Sequence, residues 1–242
     1  MCSFTHFLVV SAGPRLAADY FQVRRTTSRP VLRYVAPIVV FGALTAVEGW
    51  LPQSIYPAFY FAKIFIVTVT LLVARRSLRD IQPSWRVVFP ALLLGLVVFV
   101  QWVAIDNWLA YPHLGSRVGF NPFAELHGRF WRFAFLAVRF YGLVLVVPVM
   151  EELFLRSFVL RSAMNADFES VPIGEMSLSA FAVVTGLSAI AHPEWLVAII
   201  ANVAYTLLLY RTRSLFATVV AHATTNCALG VYILATGDWR YW

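Results

Sequence analysis

Three short runs in the sequence carry side chains able to do acid–base chemistry. The first is Glu151-Glu152-Leu-Phe-Leu-Arg156, the second ends at His192, and the third is His222-Ala-Thr-Thr-Asn226. Glu152 and Arg156 are four apart, so on a helix they lie one turn apart on one face and can neutralise each other. Glu151 is rotated by about 100° from Glu152, which leaves it open to another partner. His222 and Asn226 repeat the four-residue spacing, so an imidazole and an amide share a face and can offer two donors to one oxygen. Each run also has a plainer reading when taken alone. An acid–arginine pair can anchor a helix end at a membrane interface. A histidine with an asparagine can bond two packed spans, and His192 can be a simple interfacial histidine.

The elements that must position these groups are set by composition. Of 242 residues, 60% are hydrophobic and 13% are charged, and the mean hydropathy is +0.74. Soluble domains carry about 25% charged residues, and a soluble fold of this length has too little interior for so much apolar surface. Disorder is excluded by the same figures. The apolar runs approach 20 residues and do not alternate over about 10, so the fold class is all-α, a polytopic helical bundle and not a barrel. Seven spans are expected, at 34–51, 55–74, 87–105, 133–159, 178–192, 195–210 and 214–235. The fifth and sixth are short and are joined by His192-Pro193-Glu194, where proline disfavours helix at the preceding residue. The rest divides into a basic leader over 1–30 and one transmembrane domain over 31–242, with the three runs inside 148–230.

Charge sets orientation. The net charge is +7, and of 19 basic residues only Lys63 is a lysine. Such a balance would raise nucleic-acid binding in a soluble protein; here the arginines flank apolar runs and set topology, so no nucleic-acid partner is expected. Arg15, Arg24, Arg25, Arg29 and Arg33 precede the first span, Arg75, Arg76, Arg79 and Arg86 follow the second, Arg161 follows the fourth, and Arg211 and Arg213 follow the sixth. The positive-inside rule therefore puts the N-terminus in the cytoplasm and the C-terminus outside. Trp50, Trp102, Trp108, Trp131, Trp195, Trp239 and Trp242 are expected as an aromatic belt at the outer ends. Cys2 and Cys227 form neither a disulfide framework nor a zinc pattern. Phe7 to Val10 is too short for a signal-peptide core.

Ionisable groups in a span mark function by default, because placing each in lipid costs about 2.5–3.5 kcal/mol or more. Glu48 and Lys63 lie close enough to the outer ends to snorkel or to pair, and Arg139 is expected to snorkel outward. Glu151, His192 and His222 fall at similar depths in three different spans. Independent accidents of packing would not be expected to coincide there.

At these residues the chain resembles the CAAX-protease and bacteriocin-processing (CPBP, or Abi) family of intramembrane proteases. The family pattern is Glu-Glu-x-x-x-Arg, Phe-x-x-x-His and His-x-x-x-Asn on successive helices. Glu151–Arg156 and His222–Asn226 match in full. In Ser188-Ala-Ile-Ala-His192 the histidine is present, but serine stands in place of phenylalanine. The resemblance implies peptide-bond hydrolysis in the membrane. Glu151, helped by His192, would draw the proton from a water. His222 and Asn226 would receive the oxyanion, and Glu152 and Arg156 would orient the others. Glu151, His192 and His222 also make a possible zinc set with an open position, although no His-Glu-x-x-His motif is present, and the metal-independent form is favoured. The implied partners are the lipid bilayer and a membrane-associated peptide or protein substrate. The implied location is the inner or plasma membrane of a bacterium. A proton-relay transporter and a non-catalytic scaffold are the rival readings; no inverted repeat supports the transporter.

Overall fold

The computed structural model describes residues 14–242 other than 116 and 118, with side chains from residue 30 onward. The first part of the basic leader, with Cys2, lies outside the described residues. Among the described residues, seven helices carry the fold: α1 Pro14–Glu48, α2 Tyr56–Val73, α3 Val88–Trp108, α4 Arg129–Ser162, α5 Leu178–Ile190, α6 Trp195–Thr212 and α7 Leu215–Thr236. Six of them contain a stretch long and apolar enough to cross a membrane, in α1 the stretch Pro30–Glu48. The all-α polytopic bundle expected from composition is therefore what forms. At 1.5 Å per residue, the 13 residues of α5 reach only about 20 Å, short of a hydrocarbon core of about 30 Å.

Residues Arg33–Trp242 form one compact unit, and the described residues before Arg33, where α1 begins, belong to another. In the larger unit α3 and α7 run side by side. We call the end where they start the near end and the end where they finish the far end. Their contact is made by small residues four apart, which lets backbones approach closely. Ala91 and Gly95 of α3 face Ala217, Ala221 and Thr225 of α7, with Ala201 and Tyr205 of α6 closing the cluster. A Cβ on Gly95 would lie 2.5 Å from the Ala221 carbonyl oxygen, so only glycine allows this approach. Local signals place the helix ends. Ser177 and Ser214 cap α5 and α7 by accepting from Ala180 N and Ala217 N. Gly237, at φ 72°, takes the left-handed conformation that ends α7.

Two sequence expectations are corrected. Trp242 belongs to no belt: it is 4% exposed and lies under Arg139, whose guanidinium is 5.1 Å from its ring. Trp102 also packs inward, against the α3–α6–α7 cluster, while Trp50 and Trp108 do face outward. Arg139 does not snorkel. It donates to Tyr56 Oη at 3.2 Å and sits 4.7 Å from the Tyr60 ring centroid. Aromatic faces and a phenol hold the guanidinium where water would otherwise be needed. Glu48 and Lys63 pair with each other across α1 and α2 and are buried.

Each end of the unit is tied by an aspartate. At the near end Asp80 accepts from Tyr34 Oη at 2.9 Å, from Arg161 Nη2 at 2.8 Å and from Ser157. At the far end Asp106 accepts from Tyr111 Oη at 2.8 Å and Tyr241 Oη at 2.7 Å, with His113 Nε2 at 3.0 Å. Removal from water and the Asp106 carboxylate push the Tyr111 and Tyr241 phenols up from their ordinary value. Glu194 makes a two-bond pair with Arg117, at 3.1 and 2.8 Å. Together these contacts fasten the segments beyond α3, α5 and α7 to one another.

Candidate active site

Helix α4 is continuous over 34 residues, but its register changes twice. Gly142–Val146 and Leu153–Val159 are π-helical, and the intervening α-helical turn Val147–Glu152 carries the two acids. A π segment adds a residue per turn and so re-aims the side chains beyond it; such segments occur often at functional sites. Here a chemical cause is visible. The last π bond of the first segment runs from Val147 N to Gly142 O. The next in that register would run from residue 148 to Leu143 O, and residue 148 is proline, which has no N–H. Asn226 of α7 supplies the missing donor: its Nδ2 donates to Leu143 O at 2.9 Å. One member of the third motif therefore repairs the backbone that presents the first.

Glu152 is fully buried, and its Oε1 accepts from Arg156 Nη1 at 2.8 Å, the expected one-turn pair. The same oxygen lies 2.9 Å from His222 Nδ1. A carboxylate bound to arginine can only accept, so Nδ1 carries the proton, and in the neutral ring Nε2 is left with its lone pair. That nitrogen faces Glu151 Oε2 at 4.0 Å. The separation is too long for a hydrogen bond, but one water with bonds of about 2.8 Å spans it. The Glu151 and His222 side chains keep 17% and 13% of their exposure, so both remain reachable. Glu152 does not, and among the described residues its Oε2 is buried without a hydrogen-bond partner.

Residues of α6 that sequence reasoning misses hold this group in place. Arg156 Nη2 donates to Asn202 Oδ1 at 2.8 Å, and Asn202 Nδ2 donates to Thr185 Oγ1 of α5 at 2.9 Å. Tyr205 stacks on the His222 ring, with centroids 5.4 Å apart and planes at 21°. Its hydroxyl donates to Thr225 Oγ1, which bonds Gly95 O. Asn202 is 2% exposed. A signal existed for it: Asn202 is a polar amide in the middle of an apolar run, the kind of residue that bonds across helices.

His192 stands apart. It lies in the turn beyond α5, with Nδ1 2.9 Å from Ser188 O and its ring edge-on to Trp102. Trp102 is seven residues beyond Gly95 on α3, roughly 10 Å along the axis, so the similar depth expected for His192 is not observed. The physical reason is that α5 stops at Ile190, ahead of Pro193. His222 occupies the place beside Glu151 expected for His192. Among the described residues, no three His, Cys, Asp or Glu side chains are gathered so as to hold a metal ion. The set Glu151, His192 and His222 does not fit zinc as these residues stand.

Residues 131–228 match the family described as Rce1-like, type II CAAX prenyl endopeptidase Rce1-like. This bears out the resemblance to the CAAX-protease family over a stretch that includes all three motifs. No curated protein and no solved structure matches the chain.

Proposed function

Starting from that family, we propose that this chain is an intramembrane endopeptidase that hydrolyses a peptide bond of a membrane-associated substrate with a water held between Glu151 and His222. The observation that carries this reading is the 4.0 Å gap between Glu151 Oε2 and His222 Nε2, beside a Glu152 already committed to Arg156 and His222. A water there donates one proton to each acceptor, and its oxygen lone pair is left to attack. As the oxygen bonds the substrate carbonyl carbon, Glu151 takes the proton. Glu151 returns it to the amide nitrogen as the C–N bond breaks, so the carboxylate is regenerated and one water is consumed per bond cut. Asn226 keeps one amide hydrogen beyond the bond to Leu143 O and can offer it to the oxyanion. His222 could donate to the oxyanion only as the imidazolium, so its role shifts from oxyanion donor to water holder. Glu152, Arg156 and Asn202 position the ring.

The test is cleavage in liposomes by the purified full chain. The substrates are single-span peptides with a CaaX terminus, prenylated or not. Wild type is compared with Glu151→Gln and His222→Ala, with and without chelator. Wild-type cleavage that falls at least about 100-fold in Glu151→Gln, with folding intact, supports the reading. Cleavage unchanged in Glu151→Gln, or abolished by chelator, overturns the assigned chemistry. Proton flux without cleavage would favour the transporter.

A further inference from the structure

At the near end, a groove of about 470 Å³ opens between α1 and α2. It is lined by Arg33, Arg75 and Arg76 together with Val69, Leu72 and Val73. Among the described residues, none of the three guanidiniums makes an ion pair. The nearby Asp80 is already bound to Arg161, Tyr34 and Ser157. Leu72 and Val73 are 61% and 82% exposed, and the apolar strip continues along α2 through Val69 and Phe65. Among the described residues, the groove thus joins three cations without an ion pair to an exposed apolar face, at the level where two spanning segments end.

We propose that this groove is a binding site for an anionic phospholipid. A phosphate accepts from arginines in forked geometry, and basic pockets at the ends of spanning helices take lipid headgroups. The acyl chains lie along Leu72, Val69 and Phe65, which are 61%, 43% and 69% exposed. Charge and apolarity together select this occupant: a soluble phosphate leaves the strip bare, and a zwitterionic lipid brings its phosphate with an ammonium that the three arginines repel. Three basic contacts correspond to roughly a 100-fold preference for the anionic headgroup at low ionic strength.

The experiment measures lipid retained by the purified full chain, by native mass spectrometry, after equilibration with equal phosphatidylglycerol and phosphatidylcholine. Wild type is expected to keep phosphatidylglycerol with a preference of at least tenfold. The preference should disappear in R33A/R75A/R76A and fall several-fold in Leu72→Ala, which trims the apolar half at an exposed position and adds no charge. R79A/R86A, which removes two arginines of the same loop outside the groove, should leave it unchanged. If the triple variant does not fold, the single variants R75A and R76A and Leu72→Ala carry the test. An equal loss in R79A/R86A, no loss in the groove variants, or complete displacement by 10-fold excess inorganic phosphate would each overturn the proposal. The readout is lipid retention, so it stands whether or not the chain proves to be a peptidase.

Discussion

Two groups of charges lie within the membrane-spanning helices, and they are built to opposite ends. The first joins Glu48, Lys63 and Arg139 across α1, α2 and α4. Its one acid is paired with Lys63, and its second cation is held by Tyr56, Tyr60 and Trp242. The second joins Glu151, Glu152, Arg156 and His222 across α4 and α7. It holds one acid more than its arginine neutralises, and that acid stays partly exposed beside a histidine nitrogen. A group whose acid is satisfied can only hold helices together. A group with a spare, reachable carboxylate can also move a proton. Charge in the bilayer is thus insufficient as a mark of chemistry; the count of acids against fixed cations separates the two.

The comparison can be broken most sharply by activity. Glu151→Gln should lower peptide cleavage about 10²–10⁴-fold, while the E48Q/K63M double variant should stay within a few-fold of wild type. Comparable losses in both would erase the distinction. The next effect is on stability. Arg156→Met leaves Glu152 charged, fully buried and without its arginine, and should cost about 3–5 kcal/mol in denaturant-induced unfolding. Lys63→Met strands Glu48 in the same way, and we expect about 3 kcal/mol. Adding Glu48→Gln should return most of it, because a neutral pair carries no uncompensated charge; no recovery would mean that packing by the Lys63 stem dominates. The smallest effect is expected for Asn226→Ala, which frees Leu143 O beside Pro148 and should cost about 1–2 kcal/mol. Unchanged stability would show that Asn226 serves the reaction alone.

Much of this is legible along the chain. The low charge fraction implies a helical membrane bundle, because lipid tolerates few charges, and the four-residue spacings place Glu152 with Arg156 and His222 with Asn226. Those facts depend only on helix periodicity and composition. Distances between helices do not. His222, and not His192, comes to face Glu151 because α5 stops three residues before Pro193 and because Gly95 admits α7 close to α3. Asn202 and Tyr205 acquire their roles only when α6 packs behind Arg156 and His222. Arg139, expected at the water boundary, is turned inward by aromatic faces brought from α2 and the C-terminus. Sequence by itself determined which residues could do chemistry and on which helical faces they lie. Tertiary structure decided which of them meet, because close approach of helices is set by small residues and terminating turns far from the charged groups themselves.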